Sequence, residues 1–377
     1  MLAAFADEAW LGGALAFEAA LAMAQADEGV IAREEAEAIS AACRSLAPDI
    51  AELAEEAAHA GTLAIPLVAR LRAALEEAHP RAAAAVHRGA TSQDLADTAL
   101  MLRTKAALSV LGPDAQRLET ALAALSARHA ETPALGRTLL QGALPVTFGL
   151  RTAGWLTGIN AARQRLAREA RAALMLQLGG AAGTLAGMGS GETALAIARR
   201  VAETLGLGLP VTPWHARREG VAGLGAALAI LIGALGKMAR DIALLAQNEV
   251  AEAFEPRVAG RGGSSAMAHK RNPTGCQVAL SAALRAPGLA ATLMAGLPQE
   301  QERGLGGWQA EGPVLAELFI LAHGSLLAMA DAAEGLEVDT AAMARNLAAA
   351  GVGQDSGAAA LLVRRALAAL RDAQGED

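Results

Sequence analysis

The chain has 377 residues with a formal net charge of −7, 53% hydrophobic residues, 2% aromatic residues and no tyrosine. That length exceeds one ordinary core and predicts two or three structural units, while the acidic balance speaks against a nucleic-acid-binding protein. Two cysteines, Cys43 and Cys276, are too few for a disulfide framework or a zinc cluster, and no HxxxH or HExxH pair supports a metal site.

The opening run "MLAAFADEAWLGG" lacks a basic stretch and meets Asp7 and Glu8 early, so it reads as no signal peptide and the expected compartment is a reducing cytoplasm. Helical patterning follows over 14–26, 33–46 and, after the break at Gly61, 62–77. A core built from Ala, Leu, Val and Met suits closely approaching helices. The next helix is expected over 92–111, capped by Thr91 or Ser92, with acids in its first turn and a stop at Gly112-Pro113. Its entry, "HRGATSQDLAD" (87–97), gathers His87, Arg88, Thr91, Ser92 and Gln93 at a helix N-terminus, donors that suit an anionic ligand as well as a solvated cap.

A helix over 114–129 leads to a loop at "ETPALGRT", and then "GRTLLQGALPVTF" (136–148) places Gln141 and Thr147 around Pro145, where a long helix is expected to start. Three long helices are predicted over 146–176, 217–254 and 273–297; the middle one would run about 57 Å. Its segment "GVAGLGAALAILIGALG" (220–236) carries no charge, but Lys237, Arg240 and Asp241 follow at helical spacing, which favours burial in a bundle over a membrane span. A helix that long cannot cover its own apolar sides in a small monomer, so subunits are expected to share the bundle. The glycine-rich run "QLGGAAGTLAGMGSG" (177–191) lacks the Lys-Ser/Thr ending of a phosphate loop. Two shorter helices are expected after "GLEVDT", and no strand pair is predicted.

One stretch stands out from this background. "GRGGSSAMAHKRNPTG" (260–275) joins Gly260, Gly262 and Gly263 to Ser264, Ser265, His269, Lys270 and Asn272, with Pro273 opening the next helix. Lysine occurs only at 105, 237 and 270, so a lysine here points to a use for its compact charge. His59, His79, His129 and His323 are isolated and read as surface or structural residues, whereas His215 lies in "PWHARRE".

In order, these polar islands resemble the three signature regions of the fumarase/aspartase superfamily. "GGSSAMAHKRNP" resembles its Gly-Ser-Ser-x-x-Pro-x-Lys-x-Asn loop, with Ala268 where the proline stands. "HRGATSQDLADTAL" resembles the first region as found in adenylosuccinate lyases and 3-carboxy-cis,cis-muconate cycloisomerases, and "GRTLLQGALPVTFGLRTAGWL" resembles the second. Likeness to the cycloisomerases also includes "GTLAIPLV", "PWHARRE" and "QEQERGLGGWQAE". Adenylosuccinate lyases carry an acid/base histidine after the "GRT", where this chain has Leu139, and a nucleotide-contacting arginine where it has Gly312. Both differences fit a small tricarboxylate better than a nucleotide.

The resemblance implies an all-α fold, with a long central helix bundle shared across a homotetramer and small helical end domains. The corresponding division is an N-terminal domain over 1–111, the bundle over 112–334 and a short C-terminal segment over 335–377. It implies closure of 3-carboxy-cis,cis-muconate to 4-carboxymuconolactone in protocatechuate degradation, with no cofactor and no metal. The alternative is a lyase eliminating fumarate, like adenylosuccinate or argininosuccinate lyase. Ser264 is the first candidate for proton transfer, tuned by Lys270, with His215 or His269 as the alternative donor. His87, Arg88, Thr91, Ser92, Gln93, Gln141, Asn272 and Arg303 would hold the substrate carboxylates. The expected partners are the tricarboxylate and three further copies of the chain, with neither nucleic acid nor membrane.

Overall fold

A computed structural model describes residues 1–263, 267 and 270–375, the side chains of 372–375 excepted. The chain is all-α apart from two short antiparallel strand pairs. It divides into two units: residues 1–108, 169–224 and 291–316 form the first, and 109–168, 225–290 and 317–377 the second.

In the first unit, α1 (Asp7–Asp27), α2 (Arg33–Ser45), α3 (Ile50–Ala60), α4 (Ala64–Glu76) and the short α5 (Pro80–Ala85) precede the start of α6 (Ser92–Arg128). Local chemistry sets their ends. The Asp49 carboxylate accepts from the backbone N–H groups of Ala51 and Glu52 at 2.9 and 3.0 Å and so begins α3, while Gly61, in the left-handed region, ends it. In α8 (Gly191–Leu205) the buried residues are Ala194, Ile197, Ala198, Val201 and Ala202, the spacing of one helical face, and that helix packs on α1.

The second unit contains the strand pair β1 (Pro133–Thr138) and β2 (Gln141–Thr147), which packs on α12 (Thr340–Ala350) and, through β2, on α13 (Ala359–Gly375). It also holds the two-residue strands β3 (Ala253–Phe254) and β4 (Glu337–Val338), paired with each other. Four further helices, α7 (Phe148–Ala173), α9 (Glu219–Leu245), α10 (Thr274–Ala295) and α11 (Gly307–Glu334), contribute residues to both units, as α6 does.

Several boundaries differ from the sequence expectation. α6 does not stop at Gly112-Pro113. Leu111, Ala115, Leu118 and Leu122 are all buried on one face across the proline, and that continuous apolar stripe offsets the roughly 3 kcal/mol an interior proline costs. α7 begins at Phe148 rather than Val146, because Val146 and Thr147 pair with Ala134 and Pro133. α9 ends at Leu245, since Ala253 and Phe254 are extended against β4. Among the described residues four helices (α1, α9, α10 and α11) are long and apolar enough to cross a membrane by length and composition alone. In α9 the residues Leu228, Leu231, Ile232, Leu235, Met238 and Ile242 are nonetheless buried within the protein.

Candidate active site

In the first unit the turn 87–91 is held from below by α1. Glu18 and Gln25 lie two turns apart on that helix, and both are buried. The Gln25 side-chain amide donates to the Arg88 carbonyl at 2.7 Å, and Glu18 Oε1 sits 2.5 Å from His87 Nδ1. His87 itself has a φ of +62°, in the left-handed region. The glycine-rich run closes over the same turn. At Gly180, with φ +71°, a Cβ would lie 2.6 Å from the Gly89 carbonyl oxygen, so only glycine permits this approach.

The first turn of α6 organises a buried polar centre. The Asp94 carboxylate reaches back to the Thr91 N–H at 3.0 Å, as an acid at the third helical position does in a capping box. Its two oxygens also accept from the N–H groups of Gly179 and Gly180 at 3.0 and 2.9 Å, and His215 Nε2 lies 2.7 Å away. One turn further, Asp97 takes both Arg218 terminal nitrogens at 2.8 Å, while the Arg218 Nε donates to Glu311 of α11 at 2.8 Å. Arg218 is 1% exposed and stacks on the Trp214 ring with its guanidinium carbon 4.5 Å from the centroid. Burial pulls the Arg218 pKa down, but the charge of Asp97 and the hydrogen bonds of both carboxylates outweigh it and hold the guanidinium above its ordinary value. Burial pushes the Glu311 carboxyl up, against the opposing pull of Arg218.

This centre places the sequence-predicted residues in distinct positions. Gln93 is fully buried, with its amide nitrogen shared between Asp97 and the His215 carbonyl. His215 is 3% exposed, and its Nε2 is engaged by Asp94, so a proton exchanged without breaking that pair belongs to Nδ1. Thr91 Oγ1 accepts from Arg303, whose other terminal nitrogen donates to the Ala181 carbonyl at 3.0 Å. Arg88 is exposed and Ser92 half-buried. His87, Thr91, Gln93, His215 and Arg303 are thus gathered within one unit.

Gln141, Lys270 and Asn272 belong to the second unit. Gln141 is exposed and opens β2, paired with Thr138. The glycine-rich segment is tied at its base: the Asn272 N–H donates to the Gly262 carbonyl at 2.8 Å, and Gly262 has a φ of +71°. On either side, Glu255 accepts from the N–H groups of Gly275 and Cys276 at 3.0 and 2.7 Å, and Arg271 lies over the Phe254 ring and donates to the Glu255 carbonyl. Lys270 is exposed. It shares with Arg257, Arg261, Arg271 and Asn272 the lining of a cavity of about 100 Å³ in which Glu255 is the acid. Ser264 and His269 lie outside the described residues, as do Ser265 and Ala268.

A family model described as a lyase matches residues 1–288. The chain belongs to the fumarase/aspartase superfamily. Among relatives in this superfamily, the 3-carboxy-cis,cis-muconate cycloisomerase of Bradyrhizobium diazoefficiens is 49% identical over 347 residues, which cover 92% of this chain and 76% of that protein. A nitrosuccinate lyase of Streptomyces davaonensis is 42% identical, covering 92% of this chain and 74% of the relative. The crystal structure of a 3-carboxy-cis,cis-muconate lactonizing enzyme from Pseudomonas putida superposes with a TM-score of 0.85 at 41% identity, over 98% of this chain and 85% of that one.

The superfamily's signature regions drew attention to His87, Thr91 and Lys270 but passed over Glu18, Asp94, Asp97, Arg218 and Glu311. A signal for part of this set was present. Residues 93, 94, 97 and 98 form a polar stripe on one side of α6 that runs on into Met101, and all five are buried. A polar stripe continuous with a core residue marks a buried network rather than a solvated first turn.

Proposed function

We propose that the chain closes 3-carboxy-cis,cis-muconate to 4-carboxymuconolactone, as an intramolecular lyase of bacterial protocatechuate breakdown. In this isomerisation a carboxylate oxygen of the substrate forms a C–O bond to one end of a conjugated double bond. The displaced electron pair moves towards a second carboxylate, giving an enediolate-like dianion, and a proton is delivered to the carbon beside it. No atom leaves, and the substrate's own carboxylates accept the electrons. The enzyme's task is to stabilise charge that builds on carboxylate oxygens.

The observation that carries the reading is the lining of the cavity at the base of the 262–272 segment, where Lys270, Arg257 and Asn272 join Arg261 and Arg271, which also pair with Asp331 and Glu337, around the single lining acid Glu255. A trianionic substrate is stabilised by such a surplus of positive charge. The names of the relatives support the same substrate. In this proposal Lys270 and Asn272 hold one carboxylate, Gln141 assists, and His87, Arg88, Thr91, Ser92 and Arg303 hold the others. Gln93 acts from the interior by orienting Asp97 and the His215 backbone. Ser264 transfers the proton, and His215 or His269 supplies it.

The proposed assembly is a homotetramer with sites shared between copies, in the cytoplasm. Its support is the apolar surface left on the long helices: Leu284 is 85% exposed, and Ile230, Val278, Met294 and Ile320 are exposed as well. Light scattering should give four copies per particle. Mixing a Lys270→Ala chain with a Thr91→Ala chain should restore part of the turnover that each lacks.

The deciding assay follows absorbance with carboxymuconate, adenylosuccinate, argininosuccinate and nitrosuccinate in parallel. Loss of the muconate chromophore with none of the other three consumed is the expected result. Release of fumarate from a succinate adduct would replace the proposal with the lyase reading.

A further inference from the structure

Two buried carboxylates in the first unit each meet a histidine, but with different company. Asp94 is fully occupied: besides His215 it accepts from the N–H groups of Thr91, Gly179 and Gly180. Peptide N–H groups cannot give up their protons, so the charge of Asp94 is balanced whether or not His215 carries one. Glu18 is 1% exposed and has a different neighbourhood. Its Oε1 meets His87 Nδ1 at 2.5 Å, and its Oε2 has no hydrogen-bond partner among the described residues. A buried carboxylate with one donor keeps its charge only if that donor keeps its own.

The other charged and titratable groups around the imidazole favour the same state. Asp94, from α6, adds to the attraction of Glu18 for a proton, while Arg72, from α4, opposes it. The Arg72 guanidinium is turned onto the Val86 carbonyl at 3.1 Å. Cys43, from α2, stays a thiol, its pKa pushed up to about 12 by burial and by Glu18. Two acids thus face one arginine. His87 also holds its unusual φ of +62° with its ring tethered to Glu18, so the same contact fixes both charge and direction.

We propose that Glu18 is a positioning residue that keeps His87 as an imidazolium, with Nδ1 committed inward and Nε2 left for a carboxylate of the substrate. This rests on the reading of His87 as a carboxylate-binding residue. Burial lowers the His87 pKa, but the hydrogen bond and charge of Glu18 outweigh that effect and raise it. The side chain, 14% exposed, is open enough to touch a ligand while its partner is sealed.

The test has two readouts. The full-length protein, labelled at histidine ¹³Cε1 and assigned with His87→Gln, is titrated by NMR. His87 is expected to titrate above the ordinary imidazole value, and in Glu18→Gln to release its proton at least tenfold more readily. A wild-type His87 that titrates near its ordinary value overturns the proposal, whatever the enzyme turns over.

The second readout is kinetic. Glu18→Gln is expected to raise KM for carboxymuconate about tenfold while kcat stays within about twofold, and to add nothing in a His87→Gln background. An unchanged KM, or a loss that persists without His87, removes the positioning role while leaving the substrate assignment intact. Should carboxymuconate not be turned over at all, the functional reading fails separately. Propane-1,2,3-tricarboxylate then replaces the substrate: a perturbed His87 resonance in wild type but not in Glu18→Gln supports the pair, and equal binding by both overturns it.

Discussion

The turn at 87–97 in the first unit and the segment at 260–275 in the second each gather candidate site residues, and the described residues of the two are anchored differently. In the turn, side chains are drawn inward: Glu18 holds His87, Asp97 holds Gln93, and Arg303 holds Thr91. In the glycine-rich segment the anchoring is at the base, through the Asn272–Gly262 backbone bond, Glu255 and Arg271, while Lys270 is exposed. In the first run the predicted site residues are themselves held, whereas among the described residues of the second it is Arg261, Arg271 and Glu255 that anchor the chain and Lys270 that is exposed. Substitutions in the first are therefore expected to appear in stability, and in the second to appear in turnover alone.

The sharpest test of that contrast is at Lys270. Lys270→Ala, and Ser264→Ala with it, should lower kcat/KM by about a thousandfold or more, the scale of losing a preorganised group that stabilises transition-state charge. Circular dichroism and the denaturation midpoint should stay at the wild-type values. A matching loss of stability would show that the segment is structural after all.

Arg218 supplies the opposite result. Replacing it with methionine leaves Asp97 and Glu311 buried without their cation, and breaking a buried pair costs about 3–5 kcal/mol. Denaturant unfolding should show most of this, ahead of any specific change in KM. The second unit has a milder counterpart in Glu252, which is wholly buried and accepts from Arg137 at 2.7 and 3.1 Å and from Asn346 at 2.8 Å. Burial alone would raise its pKa, yet the hydrogen bonds of Arg137 and Asn346 and the charges of Arg137 and Arg151 bring it below the ordinary value. A lowered folded-state pKa contributes stability above the unfolded value of about 4.3, lost as pH falls through the folded one. Glu252→Gln should therefore cost about 2 kcal/mol at pH 7 and progressively less on acidification below about pH 4.

Much of this was legible from residues alone. The apolar run of α9 announced burial, while the island "GGSSAMAHKRNP" offered polar residue types whose roles belong to the proposal. The network behind the turn was less visible, because Asp94 satisfies the ordinary expectation of an acid in a helix's first turn and Asp97 follows it by one turn, and only their meeting with His215 and Arg218 gives them another role. The β1–β2 hairpin went unpredicted for a different reason. Its two-residue turn is Leu139-Leu140, both at positive φ, where Asn and Gly are the expected signals.

That turn yields the smallest predicted effect. Leu139 and Leu140 have φ values of +51° and +65° and are 96% and 76% exposed, so they accept backbone strain without burying anything in their own chain. Replacing them with Asn-Gly should stabilise a dilute, dissociated chain by about 1–2 kcal/mol, because the turn then matches its preferred residues. If a second copy covers these leucines, the substitution also removes apolar contact area between copies. The gain should then shrink or reverse as protein concentration rises, since only the assembled state binds those side chains. Denaturation midpoints at nanomolar and micromolar concentrations distinguish the cases. A gain independent of concentration would leave the exposed leucines without an assembly role and shift the weight of the tetramer onto the apolar faces of α9, α10 and α11.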